Sequence, residues 1–126
     1  MLREKIALGL LLALIAAAFI NIAYMERLAD EIIDGIDSIE KLSQTEQFDS
    51  AESIFDETLK LWNNSKVYTG IFLRHPEIDS AYDCFYDILA EIQQGEKDSI
   101  PALCEKLRYH IRCIVDMERI SLRSIL

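Results

Sequence analysis

Apolar and polar positions follow two different rules along the chain. From Ile6 to Met25 the sequence is apolar and uncharged, interrupted only by Gly9 and Asn21. Beyond it, apolar residues recur in steps of three and four: Met25, Ala29, Ile32, Ile36 and Ile39, with Asp30, Glu31, Asp34, Asp37 and Glu40 between them. That is the period of a helix with one buried face. No breaker separates the two regimes, so the spacing predicts one helix running out to about Leu42. Gly35 weakens it by about 1 kcal/mol relative to Ala and offers a place to bend. Ser43 and Glu46 stand at the spacing of a capping box, which predicts that a second helix begins there. Its face is Phe48, Ala51, Phe55, Leu59 and Trp62, and it either stops at Asn63-Asn64-Ser65 or continues to Val67 and Phe72. Pro76 ends that element and suits the first turn of the next. The third helix carries Ile78, Ala81, Tyr82, Phe85, Ile88, Leu89 and Ile92, with Gly95 as its C-cap. Asp98 can cap a fourth, with Pro101 in its first turn and Ile100, Leu103, Cys104, Leu107, Ile111 and Ile114 on its face. No strand-like alternation occurs. The expected fold is all-α, an N-terminal transmembrane helix extending into a small antiparallel bundle, about four helices in total.

The transmembrane reading rests on length. Twenty residues at about 1.5 Å each span about 30 Å, the hydrocarbon thickness of a bilayer. Arg3 and Lys5 precede the run, Glu26 and Arg27 end it, and Tyr24 falls at headgroup depth. The expected division is an anchor over residues 1–25 and a helical domain over residues 26–126. The rival is a cleaved secretory signal with Ala16-Ala17-Ala18 as the small-residue site. The apolar run passes those alanines through Phe19, Ile20 and Ile22, which favours the uncleaved anchor. No Cys lies near the run, so an acylated lipoprotein anchor is excluded. Two bases in a very short leading flank place the N-terminus in the cytoplasm and the helical body outside. Gly9, Ala13, Ala17 and Asn21 recur every four residues, a candidate face for association with a second helix. The plainer reading is that Ala is common in membrane segments and that Asn21 reaches the headgroups.

Composition sharpens this division. The 126 residues suit one domain, and a net charge of −9 argues against general nucleic-acid binding. Neither average describes the whole chain. Twenty of the first 25 residues are hydrophobic, whereas the remainder has ordinary globular content. Residues 26–59 hold eleven acids against Arg27 and Lys41, while residues 60–126 are almost balanced. The acidity is therefore local to the segment beside the apolar run. There it would repel anionic lipid and hold the body off the surface, or favour a basic partner.

Chemistry-bearing residues are few. Cys84 could pair with Cys104 or Cys113, but those two lie half a turn out of phase on one helix and cannot bond each other. The alternative is three thiols packed as small apolar residues. His75, Glu77 and Asp79 form the most distinctive local string. They fit either a helix start, with the acids in its first turn, or a pH-sensitive His–carboxylate site pairing His75 with Asp79. His110 and Cys113 share a helix face, yet no CxxC or HxxxH pair supports a metal, and no cofactor is expected. Trp62 fits a core anchor better than a binding platform. Asn63-Asn64-Ser65 matches a glycosylation sequon, and no Gly-rich phosphate loop or nucleophile motif is present.

The anchor Ile6–Met25, Trp62, the string His75, Glu77, Ile78, Asp79, and a closing Glu118, Ile120, Ser121, Leu122, Ile125, Leu126 together carry a resemblance. The chain resembles a domain-of-unknown-function family of small single-anchor membrane proteins from spore-forming Gram-positive bacteria. The likeness spans nearly the whole chain and implies a location and a shape, with no assigned activity. A fainter likeness of Ala51 to Trp62 and Ala102 to Ile111 to tetratricopeptide helices lacks the repeat of about 34 residues behind it. The expected function is a membrane-anchored, non-enzymatic interaction or scaffold module of the bacterial envelope. It would contact the bilayer through residues 6–25 and bind a protein partner or a second copy of itself. The alternatives are a sensor or enzyme built on the His–carboxylate string or the thiols, and a secreted soluble bundle.

Overall fold

A computed structural model of the chain describes the backbone of residues 1–69 and 76–125, with side chains over 1–64 and 78–120. It is all-α, with α1 over Leu2–Gln44, α2 over Phe48–Thr69, α3 over Pro76–Gln94 and α4 over Ile100–Ile125. No strand occurs among the described residues. Each helix packs against its neighbours in chain order, and α4 returns to α1, which closes the ring. Contacts fix the directions. Along α1 and α4, Glu26 meets Arg119, Asp37 meets Arg108 and Gln44 meets Lys97, so the two run antiparallel. Asn63 with Tyr82 and Glu52 with Gln93 give the same sense for α2 and α3.

The anticipated apolar rows are the rows that meet. Ile32, Ile36 and Ile39 of α1, Phe55 of α2, Phe85 and Ile88 of α3, and Ile100, Leu107 and Ile111 of α4 are all buried to within a few per cent. The row on α2 is displaced by one position, because Thr58 is buried and Leu59 only half-buried. The reason lies across the seam. A Cβ built on Gly35 would stand 2.2 Å from Thr58 Oγ1, so the two helices cross where α1 has no side chain. The helix does not break at Gly35; the glycine admits a neighbour. Nor does α2 break at Asn63-Asn64-Ser65, since it continues to Thr69.

The connection after α1 departs from expectation. Ser43 does not open a capping box for α2; it lies buried in the last turn of α1, its hydroxyl without a hydrogen-bond partner among the described residues. Glu46 N–H donates to the Ser43 carbonyl at 3.1 Å and Gln47 N–H to the Leu42 carbonyl at 2.9 Å, the paired bonds of a Schellman stop. This geometry requires a left-handed residue, and Glu46 supplies it with φ +62°. The α3–α4 turn uses the same device with the usual residue. Gly95 has φ +71°, and Gly95 and Glu96 N–H donate to Ile92 and Glu91 carbonyls at 3.1 and 2.9 Å. One residue, Ser99, separates the expected cap Asp98 from Ile100, where α4 begins. Ser99 Oγ donates to Glu91 Oε2 at 2.9 Å, tying the turn back to α3.

A side chain in the left-handed region costs about 1–2 kcal/mol, partly offset by the extra chain entropy of glycine. Among the described residues Glu46 would forfeit an exposed ion pair with Lys97 at 3.4 Å, of the kind that contributes little. Glu46→Gly is therefore expected to stabilise the bundle by about 0.5 kcal/mol and raise Tm by a few degrees. Thermal unfolding followed by circular dichroism in detergent checks the sign.

Candidate functional site

Two features stand apart from the core. The first is the leading half of α1. The 43-residue helix has a rise of about 65 Å, and buried positions begin only at Met25. Before Met25 the helix projects from the bundle as a stalk with Leu2, Leu14 and Ile20 about 70% exposed. It is the one helix among the described residues long and apolar enough to cross a membrane. Contiguous apolar surface on this scale marks a protein or membrane contact. Gly9, Ala13, Ala17 and Asn21 all lie exposed on the stalk, and a Cβ at Gly9 would meet nothing within 4 Å. Asn21 donates from Nδ2 to Met25 Sδ at 4.0 Å, which holds its amide along its own helix at the foot of the bundle.

The second feature is the seam between α1 and α4. Arg108, Arg112 and Arg119 share one face of α4, spaced four and seven residues apart, opposite Glu26, Asp30, Asp37 and Glu40 of α1. Arg108 is buried. Its Nε donates to Asp37 Oδ1 at 2.8 Å and its terminal nitrogens donate to Glu40 and Glu105 at 3.0 Å each. Burial pulls its pKa down, but the bonds to Glu40 and Asp37 prevail and hold it above the ordinary value. Arg119 donates to Glu26 Oε1 at 2.7 Å and reaches Asp116 at 3.4 Å. Between these two clusters the seam opens into a groove of about 310 Å³. Ala29, Ile33 and Val115 form its apolar lining, and Glu26, Asp30, Arg112, Asp116 and Arg119 its charged one. Arg112 and Asp30 are exposed there, and neither forms an ion pair among the described residues.

The other sequence-derived candidates are dispersed. Trp62 is buried, with its ring centroid 6.0 Å from those of Tyr82 and Phe85. Tyr82 stacks on Tyr86 at 6.4 Å and its hydroxyl donates to Asn63 Oδ1, so the sequon asparagine is held inside a helix. Burial and then Tyr86 push the Tyr82 hydroxyl up in pKa, with a bond to Trp62 pulling the other way. His75 and the side chain of Glu77 lie outside the described residues, as does the His75–Asp79 pairing; Asp79 is exposed on α3.

All three cysteines are free thiols, so the Cys84 pairing does not form. Cys84 and Cys104 are buried and Cys113 is half-buried. Burial first, and then Glu40, pushes the Cys104 thiol up to about 12 against the opposing pull of Arg108. At pH 8 roughly one molecule in ten thousand carries the thiolate, which is the reactive form. Iodoacetamide at pH 8 is expected to modify Cys113 in the folded chain and to leave Cys104 intact until denaturant is added. Peptide mass spectrometry reads the order, and early labelling of Cys104 would contradict it.

A family model described as a domain of unknown function, DUF4363, matches residues 19–125. No curated protein and no solved structure matches the chain.

Proposed function

We propose a function on the premise that this chain belongs to the DUF4363 family, a domain of unknown function. The protein is a single-pass membrane protein of the bacterial envelope. Its stalk is an uncleaved anchor, its N-terminus faces the cytoplasm, and its helical body is a non-enzymatic interaction module on the outer side. One observation carries this reading: the apolar segment and the first bundle helix are a single uninterrupted helix whose apolar half is left uncovered by the other described residues. Eleven large apolar side chains lie between Ile6 and Tyr24, and burying them in lipid is worth about 1.5–3 kcal/mol each for those that are fully covered. The Arg3 and Lys5 flank supports the orientation. The family match begins at Phe19, inside the apolar run, so the matched unit includes the junction between anchor and body.

Alkaline washing of membranes, with epitope tags at both termini, tests this directly. The full-length chain is expected to stay in the pellet. Protease added to intact spheroplasts is expected to remove the C-terminal tag and spare the N-terminal one. Release into the soluble fraction with a new N-terminus near Phe19 would make the protein a secreted bundle instead.

A further inference from the structure

We propose that the last turns of α4 enter the bilayer beside the stalk, so that the bundle sits on the membrane surface and touches lipid through a second element. The inference rests on the anchor reading above and goes beyond it by assigning a lipid-contacting surface to the body.

The register of the bundle carries it. Glu26 meets Arg119 and Asp37 meets Arg108, and the two contacts are eleven residues apart on each helix, so α1 and α4 stay in step along the seam. Continued past Arg119, that register sets Ile120 level with Met25 and Ile125 level with Ile20. Met25 is both the last residue of the apolar run and the first buried one, so no spacer lies between the span and the bundle. The fourth helix continues to Ile125. Its last five residues therefore descend about 7.5 Å alongside the span, within the roughly 5–10 Å that interfacial helices reach at the headgroup–acyl boundary. The other two helices stop four residues short of that depth. With Thr58 against Gly35, Thr69 ends α2 level with Tyr24. The Asn63–Tyr82 and Glu52–Gln93 contacts set Pro76, the start of α3, at the same level.

Composition suits the depth. The run Ile120-Ser121-Leu122-Arg123-Ser124-Ile125 holds three large apolar residues, two small hydroxyls, one base and no acid. Arginine is a charged residue that tolerates such a position, because a long apolar stem lets its charge return to the phosphates. Large apolar surface is already present where the bilayer would begin: Ile120 is 62% exposed, and Tyr24 and Ile20 of α1 are exposed as well. Acidity beside the span suggests repulsion from anionic lipid, but the first acid beyond it, Glu26, is neutralised by Arg119 at 2.7 Å.

The experiment uses the full-length protein in vesicles of phosphatidylcholine and phosphatidylglycerol, with part of the phosphatidylcholine brominated near the top of one acyl chain. Bromine quenches tryptophan on contact. Each variant is compared with the parent chain, whose buried Trp62 supplies a constant background. The emission added by Ile125→Trp is expected to fall by about half in brominated vesicles, and that added by Leu122→Trp to fall by a similar fraction. Glu96→Trp, exposed in the turn at the opposite end of the bundle, is expected to be unaffected. Two positions on α4 keep the test open if one substitution disturbs folding, which circular dichroism reports. Emission from both as insensitive as that of Glu96→Trp, in a helical chain that co-floats with vesicles, overturns the seating and leaves the anchor standing. That result would also follow if a second copy covered the end of α4. A chain that does not float with vesicles overturns the anchor reading and this inference together.

Discussion

Arg108→Ala is expected to destabilise the bundle by about 2–3 kcal/mol and to lower Tm by roughly 10 °C or more. Removing one partner from a fully buried charge cluster costs about 3–5 kcal/mol because the remaining charge is stranded. The figure is reduced here because Asp37 and Glu105 keep more than half of their side-chain surface in water. Two terms remain: the aliphatic stem of a buried side chain, and the repulsion between Asp37 and Glu40 one turn apart without the guanidinium between them. Arg108→Met retains the stem and loses the charge, so it is expected to fall between wild type and Ala. Adding Asp37→Asn and Glu40→Gln to Arg108→Met is expected to restore part of the loss. Thermal unfolding of the four proteins separates packing from charge. An Ala variant within 0.5 kcal/mol of wild type would show that the cluster is held by solvent as well as by arginine.

Gly35→Ala is expected to destabilise by about 2 kcal/mol, although helix propensity alone predicts a gain of about 1 kcal/mol. The added carbon would stand 2.2 Å from Thr58 Oγ1, 3.1 Å from its Cγ2 and 3.2 Å from its Cβ. Thr58 cannot swing aside, because it is buried and its hydroxyl donates to the Ile54 carbonyl at 2.8 Å. The strain therefore falls on the spacing of α1 and α2. Thr58→Ala removes the two obstructing atoms, so the double variant Gly35→Ala/Thr58→Ala is expected to be more stable than Gly35→Ala alone. A single Ala variant more stable than wild type would mean that the helices separate freely at this crossing.

These two positions also show where the amino-acid pattern ceased to be informative. Apolar periodicity placed the α1 row from Met25 to Ile39 and the α3 row from Ile78 to Ile92 on the correct faces, because burial of apolar area dominates helix packing. The same pattern passed over Thr58, Ser43 and Arg108, which are buried yet polar. Each is buried for a reason outside its own helix. Gly35 makes room for Thr58, the last turn of α1 encloses Ser43, and acids 68 to 71 residues away satisfy Arg108. For the candidate site, the stalk was legible as a charge-free run of the right length. The seam was not, because counting charge by segment treated Glu26, Asp37 and Glu40 as solvent-facing. The signal that could have revealed it is the arginine spacing on α4, which places three cations beside the apolar face of Leu107, Ile111 and Val115. The stop at Glu46 was hidden for another reason: a glutamate in the left-handed region is rare enough that the serine ahead of it reads as a start.

One rod serves as both stalk and core helix, and this fixes the azimuth of the body about the stalk axis. A hinged protein can swing freely about its tether; this one transmits torque. With 3.6 residues per turn, one residue inserted between Met25 and Ala29 would rotate every position above it by about 100° and lift it by about 1.5 Å. The four-helix ring would then point in a new direction without any change to its own packing above the insertion.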